Sequence, residues 1–314
     1  MEKVGVLYGG EGYEREVSLR SGEEVMKGLR AAGFEVVPFP LDKPEDLIYS
    51  PVLGEPDIFF IALHGSWGEN GQIQSMLDLM HIPYSGPGFE ACALSMDKWA
   101  SKNLFRSVGV PVPDGLLLSS DPRTGEIEPA ALESYSGWEK IVVKPNSCGS
   151  TVGVSIVDSA EQVADAVKFA AGFADRVLLE RYIPGRELAV TVVERKGYIE
   201  VLPIVDIVPV EGFYTYDAKY GTGKSRYTVP ADLTEVELEA VKSAAKGAFR
   251  VLGCRVYARA DMRLDCHGNP YVLEVNTVPG MTSTSLVPKA ARAAGMDFPS
   301  FLRFVVEESA SLKR

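Results

Sequence analysis

Between Val256 and Asn276 apolar and polar residues alternate almost without a break, and only a pair of pleated strands converts that period into one buried and one polar face. Val256, Ala258, Ala260, Met262 and Leu264 take the even positions, while Tyr257, Arg259, Asp261, Arg263 and Asp265 take the odd ones. After His267-Gly268 the parity inverts, which puts Tyr271, Leu273 and Val275 on the expected apolar face and Val272, Glu274 and Asn276 on the other. A two-residue turn at His267-Gly268 sets Asp261 opposite Glu274 and Arg259 opposite Asn276. Directly opposed carboxylates repel unless a cation lies between them. A hard divalent ion such as Mg²⁺, which takes one or two carboxylates together with phosphate oxygens, meets that need. A solvated face on which Arg259 and Arg263 offset the acids is the other reading.

The rest of the chain falls into two patterns. Lys3 to Tyr8 reads as a buried strand entering Gly9-Gly10-Glu11-Gly12, and Ser18 to Ala32 as a helix stopped by Gly33. Strands over Glu35 to Phe39 and Ile58 to Leu63, with a helix over Gly71 to Met80, make the first 95 residues or so a small parallel α/β domain. A helix over 90–108 ends at Gly109, and the Pro/Gly/Asp-rich stretch Val110 to Gly115 marks a boundary. From Ile141 the pattern becomes one of strand pairs, Ile141 to Lys144 with Val154 to Val157 and Val177 to Arg181 with Glu187 to Val193. An antiparallel sheet with helices on one side is expected, the helices being Ala160 to Ala171, Glu235 to Leu252 and Pro299 to Ala310.

Three further segments carry candidate chemistry. Lys144 ends a buried strand and precedes the small-residue loop Asn146 to Gly153, a combination able to hold phosphates through ammonium, N–H and hydroxyl groups. A glycine-containing hairpin with an edge lysine is the bland equivalent, and the segment lacks Walker A spacing. Glu14 and His64 both follow strands of the first domain, at the sheet edge where α/β proteins bind ligands. The plainer roles are an acid near a helix N-terminus and a hydrogen-bonded loop histidine. Gly9-Gly10-Glu11-Gly12 lacks the spacing of a dinucleotide fingerprint. Finally, Pro279 to Pro288 reads as a turn into a helix start, where Ser or Thr caps the helix or the free N–H groups seat an anion.

Composition narrows the partners. Lys plus Arg number 32 against 43 Asp plus Glu, a net charge of −11 that disfavours a nucleic-acid polymer or an anionic membrane as partner. The longest clean apolar run, Ile58 to Leu63, is far short of the roughly 18 residues of a membrane span. The start, Met1-Glu2-Lys3-Val4-Gly5, lacks the basic and apolar regions of a secretory leader, so a cytoplasmic location is expected. The four cysteines, Cys92, Cys148, Cys254 and Cys266, form no CxxC and are expected as free thiols.

Taken in order, these segments resemble the D-alanine:D-alanine ligases of the ATP-grasp superfamily over essentially the whole chain. The matching motifs are Gly9-Gly10 with Glu14-Arg15-Glu16-Val17-Ser18, Ala62-Leu63-His64-Gly65, Leu94-Ser95-Met96-Asp97-Lys98, Val143-Lys144-Pro145, Arg259-Ala260-Asp261, and Glu274-Val275-Asn276 running on to Thr282. The resemblance implies an N-terminal parallel α/β domain over 1–95 and two ATP-grasp lobes with mainly antiparallel sheets over 96–182 and 183–314. It implies an ATP-dependent ligase forming D-alanyl-D-alanine for peptidoglycan precursors, with two Mg²⁺ ions for which Mn²⁺ can substitute. Lys98, Lys144 and Lys219 then match phosphate ligands, Glu180 a residue near adenine and Glu187 the ribose partner. Asp261, Glu274 and Asn276 match metal ligands, and Arg259 with the Gly280 N–H an oxyanion-stabilising pair. Glu14 matches the residue holding the first ammonium, with His64, Ser150 and Tyr220 around it; Ser285 and Leu286 match the seat of the second carboxylate. Tyr220 resembles the residue of dipeptide-forming members, which favours D-alanine over D-lactate as acceptor. Cys148-Gly149-Ser150-Thr151 departs from the Glu-Gly-Ser-Ser common in the family, and Cys148 is expected as a neutral small residue in preference to a reactive thiol. A homodimer is the expected assembly. Another ATP-grasp carboxylate-amine ligase with different amino acids is the alternative.

Overall fold

A computed structural model describes residues 3–119, 137–209 and 225–312. The chain opens with β1 (Lys3–Gly9), α1 (Arg15–Ala31), β2 (Glu35–Leu41), α2 (Glu45–Ile48) and β3 (Ile58–Ile61), and the three strands form a parallel sheet in the order β2-β1-β3. β1 and β3 bury every second side chain or more on both faces, as a parallel sheet covered by helices requires. α1 begins three residues ahead of the expected start, after a single 3₁₀ turn over Gly12–Glu14. Buried Ser18 is tolerated there because its hydroxyl accepts from Gly9 N–H and donates to Ala62 C=O.

Four helices follow: α3 (Ser66–Glu69), α4 (Gln72–Leu79), α5 (Phe89–Met96) and α6 (Lys98–Ser107). The single helix expected over 90–108 is therefore two. Asp97 breaks it by leaving the helical conformation and capping α6, its carboxylate accepting from Ala100 N–H. The same carboxylate meets Arg176 at 2.6 Å and the Asn146 amide at 2.8 Å. Burial would raise its pKa, but these donors outweigh burial and hold it below the usual carboxylate range.

β4 (Gly115–Ser119), β5 (Ile141–Pro145), β6 (Ser155–Val157) and β7 (Arg176–Arg181) make a second, antiparallel sheet in the order β4-β7-β5-β6, with α7 (Ala160–Ala171) packed on it. The third sheet comprises β8 (Arg186–Arg195), β9 (Tyr198–Val201), β10 (Val205–Pro209), β11 (Ser225–Thr228), β12 (Tyr257–Leu264) and β13 (Pro270–Asn276). Its order is β11-β10-β8-β12-β13, with β9 paired to β8. The expected pairing of Val177–Arg181 with Glu187–Val193 does not occur, because β7 and β8 lie in different sheets. Between them Gly185 adopts a φ of +130°, and Arg263 binds the carbonyls of Ile183 and Gly185, which directs the chain from one sheet to the other.

The central hairpin corrects the expected register in two places. Its turn holds three residues, not two: Asp265 pairs with Asn269, and Gly268 takes φ +80°. That shift carries through Met262 opposite Val272, after which a bulge between Met262 and Asp261 restores Asp261 opposite Glu274 and Arg259 opposite Asn276. Because of the bulge Val272 joins the core, and Leu273 turns to the polar face beside Glu274. On the other face α8 (Glu235–Val251), capped by a Thr234–Glu237 box, packs Val241, Ala245, Ala248 and Phe249 against Leu188, Val190, Ala260 and Met262. Each such large side chain contributes about 1.5–3 kcal/mol on burial. The opposite face is divided: Ala189, Val193, Val205, Ile207 and Tyr257 enter the core shared with the first sheet, while Arg259, Asp261 and Arg263 of β12 form a polar patch beside them. α9 (Leu286–Ala293) and α10 (Phe298–Ser311) close the chain, α10 packing on α1 in a core shared with the first sheet. Among the described residues no helix is long and apolar enough to cross a membrane.

Candidate active site

Two cavities meet at Lys98 and Glu274, which line both. The first is also lined by Glu14, His64, Ser150, Arg259, Asn276, Gly280, Ser285 and Leu286. The second is also lined by Lys144, Glu180, Glu187 and Asp261, together with Val142, Ile156, Ile183 and Leu273. Most of these residues come from the second and third sheets and from the segments that follow strands β1 and β3 of the first. Lys219 and Tyr220 lie outside the described residues.

The second cavity combines apolar walls with buried charge. Lys98 Nζ donates to Cys148 C=O at 2.6 Å and lies 3.2 Å from Glu274 Oε2. Glu180, 1% exposed, is held between two ammonium groups, Lys102 Nζ at 2.6 Å from Oε1 and Lys144 Nζ at 2.6 Å from Oε2. Burial alone would raise the Glu180 pKa, but the charges of Lys102 and Lys144 outweigh it and lower the value. A carboxylate whose folded pKa is depressed stabilises the fold above its unfolded pKa and loses that contribution as pH falls through the folded value. Glu180→Gln is therefore expected to cost about 3–5 kcal/mol at neutral pH, since it strands two buried lysines. Thermal melts of the two proteins should converge as the pH is lowered below the ordinary glutamate range, through the depressed folded pKa of Glu180. Glu187 sits 3.3 Å from Arg263 on the neighbouring strand. Cys148 donates its thiol to Phe173 C=O, and burial pushes its pKa up, in keeping with a neutral thiol.

The first cavity gathers groups suited to an amino acid. The Ser150 hydroxyl donates to the Glu14 carboxylate, and Ser150 and Thr151 both hold positive φ, +50° and +63°. Two consecutive residues in that region store strain that only a well-packed loop maintains. His64, 4% exposed, has Nδ1 3.3 Å from Glu69 Oε1 and Nε2 3.0 Å from Ser21 Oγ. Both ring nitrogens are thus engaged, which fixes the orientation of the imidazole against the cavity wall. Gly65 takes φ +69°, and a Cβ on it would overlap the Glu14 carboxylate. Gly65→Ala should therefore displace Glu14 and raise the KM for the substrate of this cavity by about tenfold or more, since small misplacements of binding groups are costly. Steady-state kinetics check this.

At the far side of the cavity Ser285 occupies the N-cap of α9 but does not cap it. Its hydroxyl instead accepts from Thr282 N–H at 3.1 Å and pairs with Thr282 Oγ1 at 2.8 Å. The start of α9 is thus open to an anion, the second of the two readings of this segment.

Arg259 grips Asp261 with two hydrogen bonds, Nε to Oδ1 at 2.6 Å and Nη2 to Oδ2 at 2.8 Å. Asn276 Oδ1 accepts from Val278 N–H at 2.9 Å. Both carboxylates of the opposed pair therefore have a cation, Asp261 from Arg259 and Glu274 from Lys98. Among the described residues no three His, Cys, Asp or Glu side chains converge as a closed metal cage. The donors present are hard oxygens, two carboxylates and a carboxamide, and they suit Mg²⁺ completed by phosphate oxygens.

Lys102, which holds Glu180 from behind the second cavity, carries no motif that marks it. The only signal is spacing: Lys98, Ser101, Lys102 and Phe105 form the buried stripe of α6, so Lys102 lies one turn from Lys98 and one turn from the core residue Phe105. Glu69 and Ser21, the partners of His64, carry no comparable mark in the sequence.

The family description "D-ala D-ala ligase C-terminus" matches residues 104–307, and "D-ala D-ala ligase N-terminus" matches residues 45–87. The chain is 43% identical over 313 residues to a D-alanine--D-alanine ligase of Gloeobacter violaceus, covering 98% of this chain and 99% of that one. It is 40% identical to the enzyme of the same name from Halalkalibacterium halodurans, with 98% and 99% coverage. Among solved structures, D-alanine--D-alanine ligase from Bacillus anthracis complexed with ATP superposes with a TM-score of 0.85 at 33% identity, over 98% of this chain and 97% of that one. D-alanyl-alanine synthetase A from Vibrio cholerae gives 0.86 at 30% identity, over 99% of both. With nearly its whole length matched at this level, and with its two cavities joined at a lysine and a glutamate, the chain belongs to the D-alanine--D-alanine ligase family.

Proposed function

We propose that the protein joins two D-alanine molecules into D-alanyl-D-alanine, a peptidoglycan precursor, and converts ATP to ADP and phosphate as it does so. The observation that carries this reading is the sharing of Lys98 and Glu274 by a polar cavity and an apolar-walled one. A carboxylate seated in the first can reach a γ-phosphate reaching in from the second only at that junction.

In the second cavity Lys98 and Lys144 offset the charge of the polyphosphate, while Glu180 and Glu187 face adenine and ribose; the family resemblance adds Lys219, which lies outside the described residues, to the phosphate ligands. Glu14 receives the ammonium of the first D-alanine, steadied by Ser150 and Tyr220, with His64 on the cavity wall. Its carboxylate oxygen attacks the γ-phosphorus, the bond to ADP breaks, and an acyl phosphate forms. The second D-alanine places its carboxylate at the start of α9, at Ser285 and Leu286. Its amine attacks the acyl carbon, and Arg259 with the Gly280 N–H stabilises the oxyanion of the tetrahedral intermediate until phosphate leaves. Asp261, Glu274 and Asn276 would hold Mg²⁺, which when bound would supply Lewis-acid stabilisation of phosphate charge. The same reading assigns lobes to 1–95, 96–182 and 183–314, a cytoplasmic location and a homodimer; light scattering should return twice the 34.1 kDa chain mass.

A coupled assay of ADP release with D-alanine as sole amino acid, with the product identified by mass, tests the reading. Turnover with L-amino acids and none with D-alanine would overturn it.

A further inference from the structure

Lys102 stands one helical turn beyond Lys98 on α6, 1% exposed, and lines neither cavity. Its ammonium touches Glu180 Oε1 at 2.6 Å and donates to Val272 C=O at 3.4 Å. The other Glu180 oxygen meets Lys144 at 2.6 Å, and of the two lysines only Lys144 lines the second cavity. A buried carboxylate with one lysine is a neutral pair, whose cation has little left to offer an incoming anion. With two lysines the cluster carries a net positive charge, and its accessible end is Lys144.

We propose that Lys102 is a positioning residue for the nucleotide site: by holding one oxygen of Glu180 and cancelling its charge, it fixes the carboxylate that orients Lys144 and leaves the Lys144 charge available to the polyphosphate. This rests on the reading of the second cavity as the seat of ATP. Three buried charges are costly to maintain, and evenly packed apolar residues would fill the same space at lower cost. Burial pulls the Lys102 ammonium down to about 8, opposed by the attraction of Glu180 and, more weakly, Glu274, and aided by repulsion from Lys144. A lysine held at that cost behind the cavity wall acts through its neighbours, because its ammonium has no path to the ligand itself. Its fixed charge in a site of low polarity works over a few ångströms without reorganising.

The test uses the full-length protein with ATP and D-alanine. K102M, which keeps the length of the stem and removes the charge, should raise the KM for ATP by tenfold or more. The KM for D-alanine and kcat at saturating ATP should change by less than threefold. K102R, which restores the charge, should recover part of the ATP affinity. In an E180Q background K102M should add nothing, since the residue it acts through no longer carries a charge. A folded K102M protein whose KM for ATP stays within twofold of the parent would overturn the proposal. So would an equal rise in KM from K102M in the E180Q background. Should K102M alone fail to give a cooperative melt, E180Q against K102M/E180Q decides by the same criterion, because the double variant buries no net charge beyond Lys144. Calorimetric titration of the parent protein with ATP separates the two readings: absence of ATP binding there refutes the seat of ATP, whereas the variants address Lys102.

Discussion

Glu274→Gln is expected to lower kcat by on the order of 10³-fold at saturating Mg²⁺ while shifting the melting temperature by only a few degrees. The split follows from where the residue stands. Glu274 lies at the β13 bulge on the polar face, its side chain 25% exposed, and touches Lys98 at 3.2 Å across the junction of the two cavities. Its loss removes no core contact, since the apolar partner of this stretch is Val275, which is 4% exposed on the opposite face. The amide keeps the size of the side chain but not its charge, so the hard-cation donor set falls from two carboxylates to one. Lys98 loses its counter-ion at the same time. The measurement is kcat across an Mg²⁺ titration, with a melt of the same sample. A variant with near-parent kcat and an unchanged dependence on Mg²⁺ concentration would remove Glu274 from the metal-binding set.

Arg259→Lys should cost nearly as much as Arg259→Met, about 10²–10³-fold in kcat, although it preserves the charge. Arg259 is 11% exposed and forks onto both oxygens of Asp261, at 2.6 and 2.8 Å, two residues along the same strand. A planar guanidinium can hold that carboxylate and still present an N–H to the first cavity, which it lines. An ammonium is a single point of charge and can do one or the other. The KM for ATP should move little, because Arg259 does not line the second cavity. A lysine variant retaining most of the parent kcat would mean that charge alone suffices and that the forked geometry is not used.

Much of this arrangement was legible in the strand parity, though partly through an accident of cancelling shifts. The two-residue turn was wrong, because Gly268 closes a three-residue turn; the bulge beyond Met262 then adds a residue on the other strand and restores Asp261 opposite Glu274. Parity near the bulge was misread for the same reason, with Val272 in the core and Leu273 at the second cavity. Local pattern gave β7 and β8 as strands but not their sheets, since alternation says nothing about long-range partners. The path there depends on Arg263, some 80 residues onward, binding the carbonyls of Ile183 and Gly185. Asp97 looked like an ordinary polar residue within a helix, yet its bonds to Asn146 and Arg176 belong to another sheet. Bringing Lys98, Lys144, Glu180 and Glu187 to one cavity required four separate elements to meet, and only the family resemblance anticipated that. Lys102 shows the converse: it is buried in the stripe Lys98, Ser101, Lys102 and Phe105, but a stripe so rich in polar residues reads in the sequence as a solvated face.

In the proposed reaction a D-alanine carboxylate reaches the γ-phosphorus at the Lys98–Glu274 junction. D-alanine labelled with ¹⁸O in its carboxyl group tests that step directly, with the phosphate released during turnover analysed by mass. Attack by the carboxylate predicts that each phosphate carries one oxygen from the amino acid, while the dipeptide keeps the other at its new amide carbonyl. Phosphate free of label, formed together with dipeptide, would contradict the acyl phosphate route and with it the assignment of the junction as the place where the two cavities react.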